Sequence, residues 1–78
     1  MIWRVRRVLT GHDTGGRSTF IADGEAPNVK EMASMPGLAL TDLWETGAAP
    51  ASNAGDKDAA ARSVRLEPPK NGTLLRIV

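Results

Sequence analysis

The sequence predicts an all-β fold: short antiparallel strands that form part of a β-sandwich or barrel. Two observations predict it. Short stretches alternate apolar and polar residues with the period of a strand, and clusters of Gly, Pro, Asp and Asn separate them at turn-like intervals. No internal repeat is visible, so the strands belong to one small domain spanning residues 1–78.

Taken in order, "IWRVRRVLT" alternates in part. Trp3, Val5, Arg7 and Leu9 share one face, and Ile2, Arg4, Arg6 and Val8 the other. Neither face is purely apolar, so the stretch reads as an edge or swapped strand. "GHDTGG" supplies turn residues, because Gly accepts positive φ and Asp bonds its own backbone. "RSTFIA" is a second short strand, and residues 2–22 form a hairpin. "DGEAPN" reads as a further turn. In "VKEMASMPG", Met32 and Met35 are spaced for one helical turn, but Pro36 and Gly37 stop anything longer. "LALTDLWET" is the third strand. "GAAPASNAGDKDAAAR", residues 47–62, has few large side chains and reads as a surface loop, within which "DKDAAAR" has the composition of a short Asp-capped helix. "SVRLE" is a fourth strand, "PPKNG" a rigid turn, and "TLLRIV" a fifth strand, apolar on both faces as in a strand covered from both sides.

A chain of 78 residues hides only about 60–65% of its unfolded surface, so a lone core is marginal. Small domains compensate with disulfides, a metal or a partner chain. This chain has no cysteine and one histidine, His12, which leaves oligomerisation or further chain as the remedy. "TLLRIV" runs apolar to Val78, and the expectation is that this strand docks into another chain or that the natural protein continues past it. A net charge of +1 gives a weak overall field, unlike that of strong nucleic-acid binders. No apolar run approaches the roughly 20 residues of a membrane span, and "MIWRVRR" has no apolar stretch after it to make a signal peptide. A soluble cytoplasmic protein is expected.

Few residues point to chemistry. His12 and Asp13 are neighbours in a turn, a poor arrangement for converging on one ion, and a metal needs three or four ligands. Asp23, Glu25, Glu31, Asp42, Glu45 and Glu67 are scattered, and a catalytic pair requires two carboxylates in environments that push their pKa values apart. Asp42 stands out because it lies inside an otherwise apolar strand. "GHDTGG" lacks the spacing and lysine of a phosphate-binding loop, and Ser18, Ser34, Ser52 and Ser63 have only His12 as a prospective base. Arg4, Arg6 and Arg7 with Trp3 nearby offer a stacking and phosphate-binding face for a nucleic acid, although charges on an edge strand also serve to block unwanted pairing. "NGT" at 71–73 reads as part of a turn. Trp3, Val5, Phe20, Leu38, Leu40, Trp44, Leu66, Leu74 and Ile77 are the candidate core and interface residues, with each tryptophan offering about 150–250 Å2 for burial.

Read in order, "RRVLTGHDTGGRSTFIADGEAPN", "LALTDLWETGAAPASN" and "VRLEPPKNGTLLRIV" resemble the front portion of small bacterial cupin-domain proteins. The resemblance implies a β-barrel of two facing sheets, part of a jelly roll, dimeric through exchanged N-terminal strands. The His-x-His, Glu and His metal signature of cupins is absent, so the resemblance carries no metal ligand, cofactor or catalytic residue onto this chain. It implies a structural role, in dimerisation and as the wall of a pocket, in a homo-oligomer with a small molecule as an eligible ligand. A divalent metal enters only if a histidine motif follows residue 78, which would make the protein a metal-dependent cupin enzyme. A nucleic-acid-binding barrel is the other alternative.

Overall fold

The computed structural model describes residues 4–78, so the expected contributions of Ile2 and Trp3 lie outside the described residues. The fold is all-β. Five strands follow in chain order: β1 (Arg6–His12), β2 (Ser18–Glu25), β3 (Val29–Glu31), β4 (Ala39–Thr46) and β5 (Thr73–Ile77). They form two antiparallel sheets, a β1-β2 ribbon and a three-stranded sheet ordered β3-β4-β5. Among the described residues no helix is long and apolar enough to cross a membrane.

The β1-β2 hairpin closes where Asp and Gly concentrate. The Asp13 carboxylate accepts from the N–H groups of Gly15 and Arg17, each at 2.9 Å, and Gly16 takes φ +79°, a conformation available to Gly without a Cβ penalty. Farther along, the register jumps from Leu9↔Ala22 to Thr10↔Phe20 and leaves Ile21 as the extra residue of a β-bulge. The second strand is longer than expected. The sequence places Asp23 and Gly24 in a turn, yet β2 continues to Glu25. Arginines across the hairpin hold it there: Arg6 forks onto Asp23 at 2.8 and 2.7 Å, and Arg4 reaches Glu25 at 3.2 Å. Opposite charges on facing strands stabilise pairing that Gly24 alone disfavours.

The stretch 29–37 resolves as strand and turns rather than a helical turn. Val29–Glu31 pairs with β4. Leu38 N–H then donates to Met35 O at 3.0 Å around Pro36 and Gly37, the latter at φ +88°. Proline followed by a positive-φ glycine is the arrangement of a type II turn. A similar turn precedes β5: Gly72 N–H donates to Pro69 O at 3.0 Å, with Asn71 at φ 60°.

Two expected elements are absent. "SVRLE" is not a strand; its backbone carbonyls at Arg65 and Leu66 accept from the Arg76 guanidinium instead of from a neighbouring strand. "DKDAAAR" is not a helix. The chain makes a turn there, with Ala61 N–H donating to Asp58 O at 3.1 Å, and the Asp58 carboxylate accepts from Ala60 N–H at 2.9 Å and from Arg7.

The apolar interior is small. Among the described residues, Ala26, Leu40 and Ala60 are the buried hydrophobic ones, and Thr41 and Asp42 are buried polar ones. The Cα trace measures 46 × 29 × 14 Å, so the molecule is elongated and thin. At Gly72 an added Cβ would overlap the Thr46 carbonyl, whereas Gly24 opens onto free space. Gly72→Ala is therefore expected to lose about 1–3 kcal/mol, the range of overpacking. Gly24→Ala is expected to hold or gain up to about 1 kcal/mol through a less flexible unfolded chain. Urea unfolding midpoints at one fixed protein concentration check the pair.

Candidate functional site

The most polar interior feature begins with an irregularity of β4. Its register against β5 runs Thr41↔Ile77, Asp42↔Arg76, then Trp44↔Leu75 and Glu45↔Leu74, so Leu43 has no partner. In a regular strand, residues three apart point to opposite faces. The bulge at Leu43 resets the alternation and brings Asp42 and Glu45 to one face, shared with Leu74 and Arg76. Thr41, Trp44, Leu75 and Ile77 fall on the other.

On the first face the Asp42 carboxylate is 0% exposed and held by two arginines. Arg76 Nε donates at 2.5 Å and Arg62 Nη1 at 2.6 Å. Arg62 also donates to Glu45, which accepts from Arg65 Nη2 at 2.7 Å. Arg76 continues to the carbonyls of Arg65 and Leu66. Three guanidiniums thus meet two carboxylates. The planar guanidinium suits this work, since it presents several donors in one fixed fork. Among the described residues Arg62 Nη2 is the one buried side-chain polar atom without a partner.

A second cluster ties the hairpin to the three-stranded sheet. Arg7 reaches from β1 to Asp58 at 2.8 and 2.7 Å, and donates from Nε and Nη2 to the Leu43 carbonyl at 3.1 and 2.8 Å. Leu43 is the residue the bulge leaves outside the β4-β5 pairing, so Arg7 satisfies backbone that the irregularity frees.

These contacts fix the protonation states. For Asp42, burial pushes the carboxyl up, but hydrogen bonds and charge from Arg76 and Arg62 together outweigh it and hold it below its ordinary value. Arg62, against burial and with help from Arg65, lowers Glu45. Arg7, against burial and with help from the Ala60 N–H, lowers Asp58. A carboxylate held ionised by arginine is a weak proton donor, and its lone pairs are already occupied. Proton transfer is a poor use of this cluster; positioning of chain segments is a good one. No group of three or more His, Cys, Asp or Glu side chains suited to a metal occurs among the described residues.

Beside the opposite face lies an open groove of about 820 Å3 between the hairpin, β4, β5 and the 52–56 segment. Val8, Ile21, Leu43, Trp44 and Leu75 form its apolar wall, and His12 also lines it. The candidate core residues separate accordingly. Leu40 is buried, and Val5, Leu38 and Leu74 are half-buried. Trp44 and Ile77 remain partly open, while Phe20 is 73% and Leu66 68% exposed. Arg4, Arg6 and Arg7 do not make one cationic face: the first two pair with Glu25 and Asp23 in solvent, and Arg7 turns inward. Arg62, Arg65, Arg76 and Asp58 were not singled out in the sequence. The available signal was an Asp in "LALTDLWET" and an Arg in "TLLRIV", opposite charges inside two apolar strands. Compared with known proteins, the chain matches no family model, no curated protein and no solved structure.

Removing one partner of a buried ion pair strands the other, so Asp42→Asn is expected to cost about 3–5 kcal/mol in denaturant unfolding. The pH dependence has a defined sign. Asp42, Glu45 and Asp58 have lowered folded values, so their stabilisation is complete above the unfolded carboxylate range near about 4. It is lost as pH falls through the folded values. Stability measured from pH 7 downward should stay level until about pH 4–5 and then drop. Asp42→Asn should flatten the drop, and an unchanged acid slope would remove Asp42 from this account.

Proposed function

We propose that this chain is an assembly module: a β unit whose role is structural, completed by a second copy of itself, with the groove serving as apolar wall in the assembled particle. The observation that carries the reading is uncovered surface. A compact protein of this mass exposes about 4,600 Å2, whereas this chain exposes 6026 Å2. The difference, roughly 1,400 Å2, exceeds the approximately 800 Å2 that each partner contributes to a standard interface. The radius of gyration supports the same reading, at 14.0 Å against about 11.5 Å for a compact chain of this length.

The composition of that surface is favourable for association. Val8, Phe20, Ile21, Met35, Trp44, Leu66, Leu75 and Ile77 are all exposed large apolar residues, and soluble monomers rarely leave extensive apolar patches uncovered. The cupin resemblance agrees with a dimer, since proteins of that type are built from facing sheets and are often dimeric with N-terminal strands exchanged between protomers. Stand-alone catalysis is not part of the proposal: the buried carboxylates are occupied by arginines.

Folding coupled to association makes stability depend on protein concentration. Light scattering is expected to give a mass at least twice the 8.3 kDa of one chain, with a melting temperature that rises on concentration. A monomer that melts sharply at one temperature over a hundredfold dilution would overturn the proposal.

A further inference from the structure

The molecule's strand edges are unequally defended. β3 is only 3 residues long, carries Lys30 and Glu31, and follows Pro27. β2 carries Asp23 and Glu25 and is broken by the bulge at Ile21. β1 bears Arg6 and Arg7 and its own ion pairs. Shortness, charge, proline and bulges are the usual means of preventing edge-to-edge pairing. β5 has no bulge or proline of its own and only one charge. It pairs with β4 on one side, and among the described residues no strand covers its other side. Its single charge, Arg76, lies on the ionic face, where it is held by Asp42. The irregularity in the β4-β5 pair belongs to β4, so β5 itself runs unbulged through Thr73, Leu74, Leu75, Arg76 and Ile77. Leu75 is 60% exposed and Leu66, whose carbonyl Arg76 holds at 3.1 Å, lies exposed nearby.

We propose that β5 pairs antiparallel with β5 of a second copy about a two-fold axis at Leu75, joining two three-stranded sheets into one of six. This inference rests on the assembly reading above and names the surface that assembly uses. Side-chain chemistry selects the register. Centring on Leu75 sets Leu75 against its own counterpart and Thr73 against Ile77 on the groove face. On the other face it sets Leu74 against Arg76. Centring on Arg76 would oppose two like charges, which destabilises a strand pair. Centring on Leu74 would draw Gly72 into the pair, where it has no side chain to contribute. A two-fold interface must be self-complementary, and the Leu75 register satisfies that with apolar contact at its centre.

The chain has no cysteine, so single cysteines report on this geometry directly. Residues facing each other across an antiparallel pair have Cα atoms about 4.5–5.5 Å apart, inside the disulfide range. Leu75→Cys is expected to yield a covalent dimer on mild oxidation. Thr73→Cys is expected to yield none, because its counterpart is displaced by four residues, about 13 Å along the strand. The double variant Thr73→Cys/Ile77→Cys should cross-link again. Leu75→Lys should weaken dimerisation by about tenfold or more, the scale of losing a central apolar contact. Phe20→Ser on the hairpin should leave it unchanged. Circular dichroism confirms that each variant retains its strands. If the wild type is dimeric but Leu75→Cys fails to cross-link and Leu75→Lys stays dimeric, the β5 interface is overturned while the assembly reading stands. A monomeric wild type overturns both.

Discussion

A carboxylate without solvent exposure sits in the middle of the central strand, and the rest of the chain is arranged around keeping it there. Burying an ionised group is costly unless hydrogen bonds and opposite charge replace its water. Asp42 obtains both from Arg76 on the neighbouring strand and from Arg62 on the long connection. The first bond sets the β4-β5 register at Asp42↔Arg76. The second pins a segment that has almost nothing apolar to offer, since residues 47–62 are mainly Ala, Gly, Ser and Asp. Directional bonds do here what side-chain packing does in a larger domain. The buried hydrophobic residues among those described reflect this: two of the three are alanines, and Leu40 is the one large side chain.

Such an interior confers specificity more readily than stability. Buried ion pairs roughly balance their desolvation, and apolar replacements of equal shape are often as stable or better. Their value is that few alternative arrangements satisfy every donor and acceptor. Arg7 illustrates the point, because it bonds both the Asp58 carboxylate and the one carbonyl that the β4 bulge leaves spare. A register slip of one residue would remove that carbonyl from its reach. The hairpin and the three-stranded sheet are thereby oriented by one side chain and by the short Ala26–Asn28 connection, rather than by a broad apolar contact.

How much of this was legible in the sequence depended on whether the signal was local. The all-β class, the turns at Asp13–Arg17 and Pro69–Gly72, and the strands now seen as β1, β4 and β5 follow from residues adjacent in the chain. Asp42 was also visible as a charge misplaced in an apolar strand. What local patterning missed depended on distant partners. β2 extends through Asp23 and Gly24 because arginines across the hairpin hold it. "SVRLE" alternates like a strand but spends its backbone carbonyls on Arg76. The bulge at Leu43 has no local signature, and uniform alternation would have put Leu38, Leu40, Asp42 and Trp44 on one face.

That bulge has a further consequence for the surface. By resetting the alternation in mid-strand, it gathers Asp42, Glu45 and Arg76 on one side of the sheet and Trp44, Leu75 and Ile77 on the other. The ionic side is closed by the 58–66 segment, which leaves its arginines little freedom to bind anything else. The apolar side is left as the wall of a groove. Without the bulge, Glu45 would lie in the groove and Trp44 among the arginines, and neither side would be chemically uniform. One irregular residue therefore separates the face that organises the chain from the face free to meet another. Strand alternation places Arg76 on the ionic side, where Asp42 holds it, so the groove side of β5 presents Thr73, Leu75 and Ile77.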